Sequence, residues 1–242
     1  MFDSRFLARS LAIALLLTPC LGASYPLSLS HHVVSGYGFP VGGGMLAVDL
    51  SGDGVDEILF TSFGLSPLLA VFQGEGSDWR RRQLFLLPER DSRTQLHAWS
   101  LPNETRIVSV ALHQTYPAPP FTIVDIYAGW PLAHQSSYTI DAEVIDSLVA
   151  DTDGDGEAEL LLLGGDSLRV LHPATGALLW SVSGTGTDML VDQLDDDPAP
   201  EIVISGPFGK VIDGVTRTVE YEHTWSFGSR LASGRIGASG QR

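Results

Sequence analysis

The sequence predicts an all-β fold, a β-propeller of four-stranded antiparallel blades, and three observations predict it. One acidic loop recurs between two short apolar strands. Gly, Pro and Asp turns punctuate the stretches between recurrences, as hairpins require. Beyond the N-terminal segment no stretch carries helical periodicity.

The recurrence has three clear members. They are Met45 to Asp49 running through an Asp/Gly loop into Asp56 to Phe60, Ser147 to Asp151 into Glu159 to Leu162, and Met189 to Asp192 into Glu201 to Ile204. Glu159 to Glu201 spans 42 residues and Glu57 to Glu159 spans 102, which leaves room for one further unit between the first and the third. The third unit reads most clearly as four strands: Ser147 to Ala150, Glu159 to Leu163, Ser167 to Leu171 and Ala177 to Val182. Gly164-Gly165-Asp166 and Pro173-Ala174-Thr175-Gly176 turn the chain between them. A β-sandwich also has regularly spaced strands, but the repeated loop favours blades.

In chain order, residues 1–23 read as a secretory signal peptide: Arg5 and Arg9, the apolar run Leu11 to Leu17, then Gly22-Ala23-Ser24 with cleavage after Ala23. The run is too short to span a bilayer. The only cysteine, Cys20, lies inside it; lipidation there is the less favoured alternative, because Pro19 precedes it. Residues 24–44, with His31-His32, form an N-terminal strand segment, and residues 45–242 hold the repeats. The first unit continues through Glu57 to Ser62, Leu68 to Phe72 and Gln83 to Leu87, with Arg80-Arg81-Arg82 as a solvated hairpin end. The second unit has strands near Leu96 to Leu101, Arg106 to His113, Phe121 to Tyr127 and Tyr138 to Ala142. Only Pro102-Asn103-Glu104-Thr105 joins its first two, so it lacks the acidic loop. Leu231 to Arg242 follows the spacing of a fifth unit's opening, with Arg235 and Gly237 at the ligand places; the expectation is a propeller interrupted there, with a flexible Gly/Ser tail as the alternative.

The loops carry the chemistry. In the third unit Asp151, Asp153 and Asp155 alternate, Gly156 follows, and Glu159 stands four residues after Asp155. Ca²⁺ takes six to eight oxygens, and carboxylates at loop places 1, 3 and 5, a carbonyl at 7 and an oxygen at 9 can wrap it, with Gly at 6 for the turn. Glu157 supplies the carbonyl and Glu159 the ninth-place oxygen. The first unit matches with Asp49, Ser51, Asp53, Gly54, Val55 through its carbonyl, and Glu57. From Asp192 to Glu201 the spacing carries an extra residue and Pro198 replaces the glycine, which disfavours calcium in this loop and leaves its metal binding open. No helix flanks these loops, and the pattern resembles the FG-GAP (VCBS) repeat of propellers such as the integrin head. The resemblance covers Met45 to the C-terminus and implies calcium at Asp151 to Glu159 and Asp49 to Glu57. It implies little about function.

Composition narrows the rest. With 14 Lys+Arg against 29 Asp+Glu, net −15, the chain lacks the clustered positive charge that nucleic acid needs, and an acid excess suits a cation binder. Trp180 and Trp225 read as packing between strands. His31-His32 has no third zinc ligand in register, and no Gly-x-Ser-x-Gly elbow, phosphate loop or Cys pair occurs. Asn103-Glu104-Thr105 is a glycosylation sequon. The expected function is a secreted or periplasmic, non-enzymatic calcium scaffold for an unidentified protein or glycan. The alternative is a section of a larger propeller enzyme, a polysaccharide lyase or quinoprotein-like, with its catalytic residues outside this chain.

Overall fold

A computed structural model describes residues 44–62, 68–75, 78–86, 93–113, 117–184, 186–195, 199–228 and 231. The expected signal peptide, His31-His32, the segment 24–43 and the tail beyond Leu231 lie outside the described residues. All the described residues belong to one compact unit, Tyr37–Arg242.

They form sixteen strands in four antiparallel sheets, each ordered as the chain runs. The first sheet is β1 (Met45–Val48), β2 (Glu57–Thr61), β3 (Leu68–Glu75) and β4 (Asp78–Leu86). The second is β5 (Arg93–Ser100), β6 (Thr105–His113), β7 (Phe121–Ala128) and β8 (Ala133–Ile140). The third is β9 (Val144–Ala150), β10 (Glu159–Gly164), β11 (Ser167–Leu171) and β12 (Leu178–Ser183). The fourth is β13 (Asp188–Asp192), β14 (Glu201–Ser205), β15 (Gly209–Asp213) and β16 (Val219–His223).

Strand alternation explains how the sheets stack. Leu160 and Leu162 of β10 point to one side and pack with Val108, Val110, Val124 and Ile126 of the second sheet. Leu161 and Leu163 point to the other and pack with Met189, Ile202, Ile204 and Ile212 of the fourth. A strand covered on both faces reads as the unbroken run Leu160 to Leu163, all four essentially inaccessible. Ile107 of β6 turns toward Leu59, Leu69 and Val71 of the first sheet in the same way.

The first strands of successive sheets are bridged. Gly44 N–H donates to Thr94 O at 2.9 Å. Gln95 Nε2 donates to Asp146 Oδ1 at 2.8 Å, Ser147 Oγ to Gln95 Oε1 at 2.6 Å, and His97 Nε2 lies 2.7 Å from Ser147 Oγ. Met189 N–H donates to Asp146 Oδ2 at 3.0 Å, and Leu231 N–H to Asp188 Oδ2. Burial holds His97 down to a pKa of about 4 and pushes Asp146 up.

Three expectations need correction. The last strand of the first sheet begins at Asp78, five residues before the expected Gln83, so Arg80-Arg81-Arg82 lies inside β4, exposed and next to the hairpin that pairs Glu75 with Asp78. The last strand of the second sheet begins at Ala133, well before Tyr138, because its polar, exposed residues give no apolar signal while their backbone pairs Ala128 with Ala133. Trp225 is 74% exposed and packs between no strands, whereas Trp180 does pack against the core between the third and fourth sheets.

Candidate metal loops and the adjoining cleft

Each acidic loop joins the first and second strands of its sheet and is closed by its own carboxylates. In the third sheet Asp151 Oδ1 accepts the Gly154 N–H at 2.7 Å and Oδ2 the Gly156 N–H at 2.9 Å. In the first, Asp49 accepts Gly52 N–H at 2.7 Å and Gly54 N–H at 2.8 Å. Gly154 and Gly156 have φ of 73° and 91°, a left-handed backbone that side chains resist, and Gly52 and Gly54 match them at 77° and 80°. Asp155 accepts Glu157 N–H at 2.7 Å and Asp53 accepts Val55 N–H at 2.8 Å.

The glutamate ending each loop anchors it. Glu57, Glu159 and Glu201 each accept, through Oε2, the N–H of the residue seven places earlier: Leu50, Thr152 and Leu194. One oxygen is thereby committed. In two of the three the other is stranded: Glu57 Oε1 and Glu201 Oε1 are buried with no hydrogen-bond partner, and so is Ser51 Oγ. A buried carboxylate oxygen left unpaired is costly, and a cation would satisfy it. Burial pushes the Glu159 carboxyl up, with Asp153 and Asp151 adding to it against two hydrogen bonds from Thr152.

Oxygens of Asp151, Asp153 and Asp155 lie within 4.8 Å of one another, so three of the five third-loop residues converge. Glu159 stands at the loop's end, and Glu157 and Val55 are exposed at the seventh place of their loops. Among the described residues Asp49, Asp53 and Glu57 form no cluster that tight. Hard oxygen donors fit Ca²⁺ in both loops, on converging carboxylates in the third and on the orphaned Glu57 Oε1 and Ser51 Oγ in the first. Asp195, Glu201 and Glu220 also converge within 4.8 Å, in the unit whose loop spacing disfavours calcium. Loop spacing could not reveal Glu220, which sits on the outermost strand β16.

A cleft of about 560 Å³ opens beside the third loop, between the second, third and fourth sheets. Asp153, Asp155 and Glu157 form one wall, while Trp99 and Trp180 line others. The Arg106 guanidinium lies 5.1 Å from the Trp99 ring centre and that of Arg217 5.8 Å from Trp180. Among the described residues no helix is long and apolar enough to cross a membrane.

No protein-family model matches the chain, and a search of curated proteins finds no match. Solved structures do match. A rhamnogalacturonan lyase from Bacillus licheniformis aligns at 20% identity and TM-score 0.55, over 74% of this chain and 39% of that one. The V. cholerae biofilm matrix protein Bap1 aligns at 19% identity and TM-score 0.47, over 75% of this chain and 28% of that one. The chain thus spans well under half the length of either, and its likeness to the lyase is one of all-β fold.

Proposed function

We propose that this chain is a calcium-stapled β-propeller of the FG-GAP type, a non-enzymatic scaffold working outside the cytoplasm and presenting its loop face to a protein or glycan. The observation that carries the reading is Glu57 Oε1, a buried, unpartnered carboxylate oxygen beside the equally unpartnered Ser51 Oγ, at the site the loop arithmetic assigns to an ion. Asp151, Asp153, Asp155, Glu159 and the Glu157 carbonyl would hold one ion. Asp49, Ser51, Asp53, Glu57 and the Val55 carbonyl would hold another. A bound ion supplies positive charge that offsets carboxylate repulsion and ties loop ends together; it needs no chemistry beyond that. Extracellular modules of this kind bind at roughly 10⁻⁴ to 10⁻³ M, which suits a secreted or periplasmic protein.

The propeller reading draws on four like sheets bridged first strand to first strand, as blades stand about an axis. Leu231 donating to Asp188 repeats the bond from Met189 to Asp146, each across 43 residues, which fits Leu231 opening a further blade. A second reading, a section of a larger propeller enzyme such as a polysaccharide lyase, draws on the fold likeness to the rhamnogalacturonan lyase. Counting bound calcium by equilibrium dialysis tests the leading reading. Wild type holds one ion more than Asp153→Ala/Asp155→Ala; equal counts contradict it.

A further inference from the structure

Turns between the third and fourth strands of the last two sheets are copies of one another. Gly176 N–H donates to His172 O at 2.9 Å in the third sheet, and Arg217 N–H donates to Asp213 O at 2.9 Å in the fourth. Gly176 has φ 68°; Arg217, in the corresponding place, has φ 61° and is the one non-glycine with positive φ among the described residues. An arginine here bears strain that glycine avoids, and such outliers cluster where a side chain is wanted for a task. Its guanidinium reaches the Trp180 ring and the cleft, yet forms no ion pair among the described residues, although Asp153, Asp155 and Glu157 line the same cleft.

We propose that this cleft binds a carboxylate-bearing saccharide, a uronate unit of a glycan chain, with Arg217 taking the carboxylate. The guanidinium fork matches a carboxylate in two parallel hydrogen bonds and stays charged at any working pH. Trp180 and the exposed Leu179 offer an apolar surface for the C–H face of a sugar ring. Arg106, on the opposite flank over Trp99, adds a second positive group, shared with Glu104. The inference rests on the calcium reading, because Asp153, Asp155 and Glu157 would repel an anion unless an ion in their loop offset them.

Isothermal titration with trigalacturonate and with its methyl ester, each in millimolar Ca²⁺ and in EDTA, tests this. The acid binds wild type in calcium, the uncharged ester at least tenfold more weakly. Arg217→Gly, which gives the turn the residue its counterpart already has, loses at least tenfold in affinity while its melting midpoint holds or rises. No binding of the acid by protein shown in dialysis to hold calcium overturns the inference and leaves the calcium reading intact. Equal affinities in wild type and Arg217→Gly overturn it as well. Binding that survives EDTA but is lost in Arg217→Gly upholds the arginine site and removes the cation from it.

Discussion

The second and third sheets join their first two strands in opposite ways. In the second, a short turn suffices, closed by the Leu101 N–H donating to Glu104 O at 2.8 Å, with Arg106 answering the Glu104 carboxylate. In the third, Asp151 to Ala158 spends eight residues, four of them acidic, on the same connection. Both sheets bury their central strands equally well, so a four-stranded sheet does not need the acidic loop. Its carboxylates repel one another for some other reason, and a cation is the simplest one.

The loop also does structural work the short turn lacks. A Cβ on Gly214 would stand 1.6 Å from Thr152 O and 2.8 Å from Pro200 O, so the fourth sheet rests directly on the loop's backbone. Gly214→Ala is therefore expected to give the largest effect, a loss of about 3 kcal/mol or more, since backbone cannot yield as a side chain can. Chemical denaturation of wild type and variant measures it; a loss below about 1 kcal/mol would mean that the loop backbone yields to the added methyl and the two sheets are loosely joined.

Acid should act next most strongly, at the seam between the compared sheets. The folded pKa of His97, about 4, lies below its ordinary 6.5. The neutral ring's contribution is fully present above pH 6.5 and is lost as pH falls toward 4, because the unfolded chain takes up the proton first. Asp146, raised by burial, works the other way, so the difference between wild type and His97→Gln isolates the imidazole. Melting at neutral pH and near pH 5 should show a smaller acid loss in the variant; parallel losses would clear His97 of the effect.

Smallest is a contrast of charge removal without calcium. Asp153→Asn/Asp155→Asn is expected to stabilise the third loop by up to about 1 kcal/mol as repulsion goes, whereas Glu104→Gln in the second sheet's turn shifts stability by no more than about 0.5 kcal/mol. Thermal melts in EDTA compare the two. Destabilisation of the double variant in EDTA would show that the carboxylates serve the turn itself.

How far the sequence speaks also differs between these sheets. The third sheet's strands fall within a few residues of their expected ends, because Leu160 to Leu163 and the Gly turns leave little choice of register. The edge strands of the first and second sheets start earlier than their apolar residues indicate, at Asp78 and Ala133, since exposed edge strands carry no apolar pattern. The convergence of Asp151, Asp153 and Asp155 was legible from spacing, being local. Glu220 beside Glu201, and Arg217 over Trp180, were not: both meetings depend on cross-strand and cross-sheet register, which no spacing within one loop encodes.

The central claim is that calcium binds the folded loops. A ligand that binds only the folded state must raise the melting midpoint. Calcium added at millimolar concentration to EDTA-treated protein is predicted to raise the wild-type midpoint by several degrees and to raise that of Asp153→Ala/Asp155→Ala less. No shift in wild type, or equal shifts in both, would contradict the account.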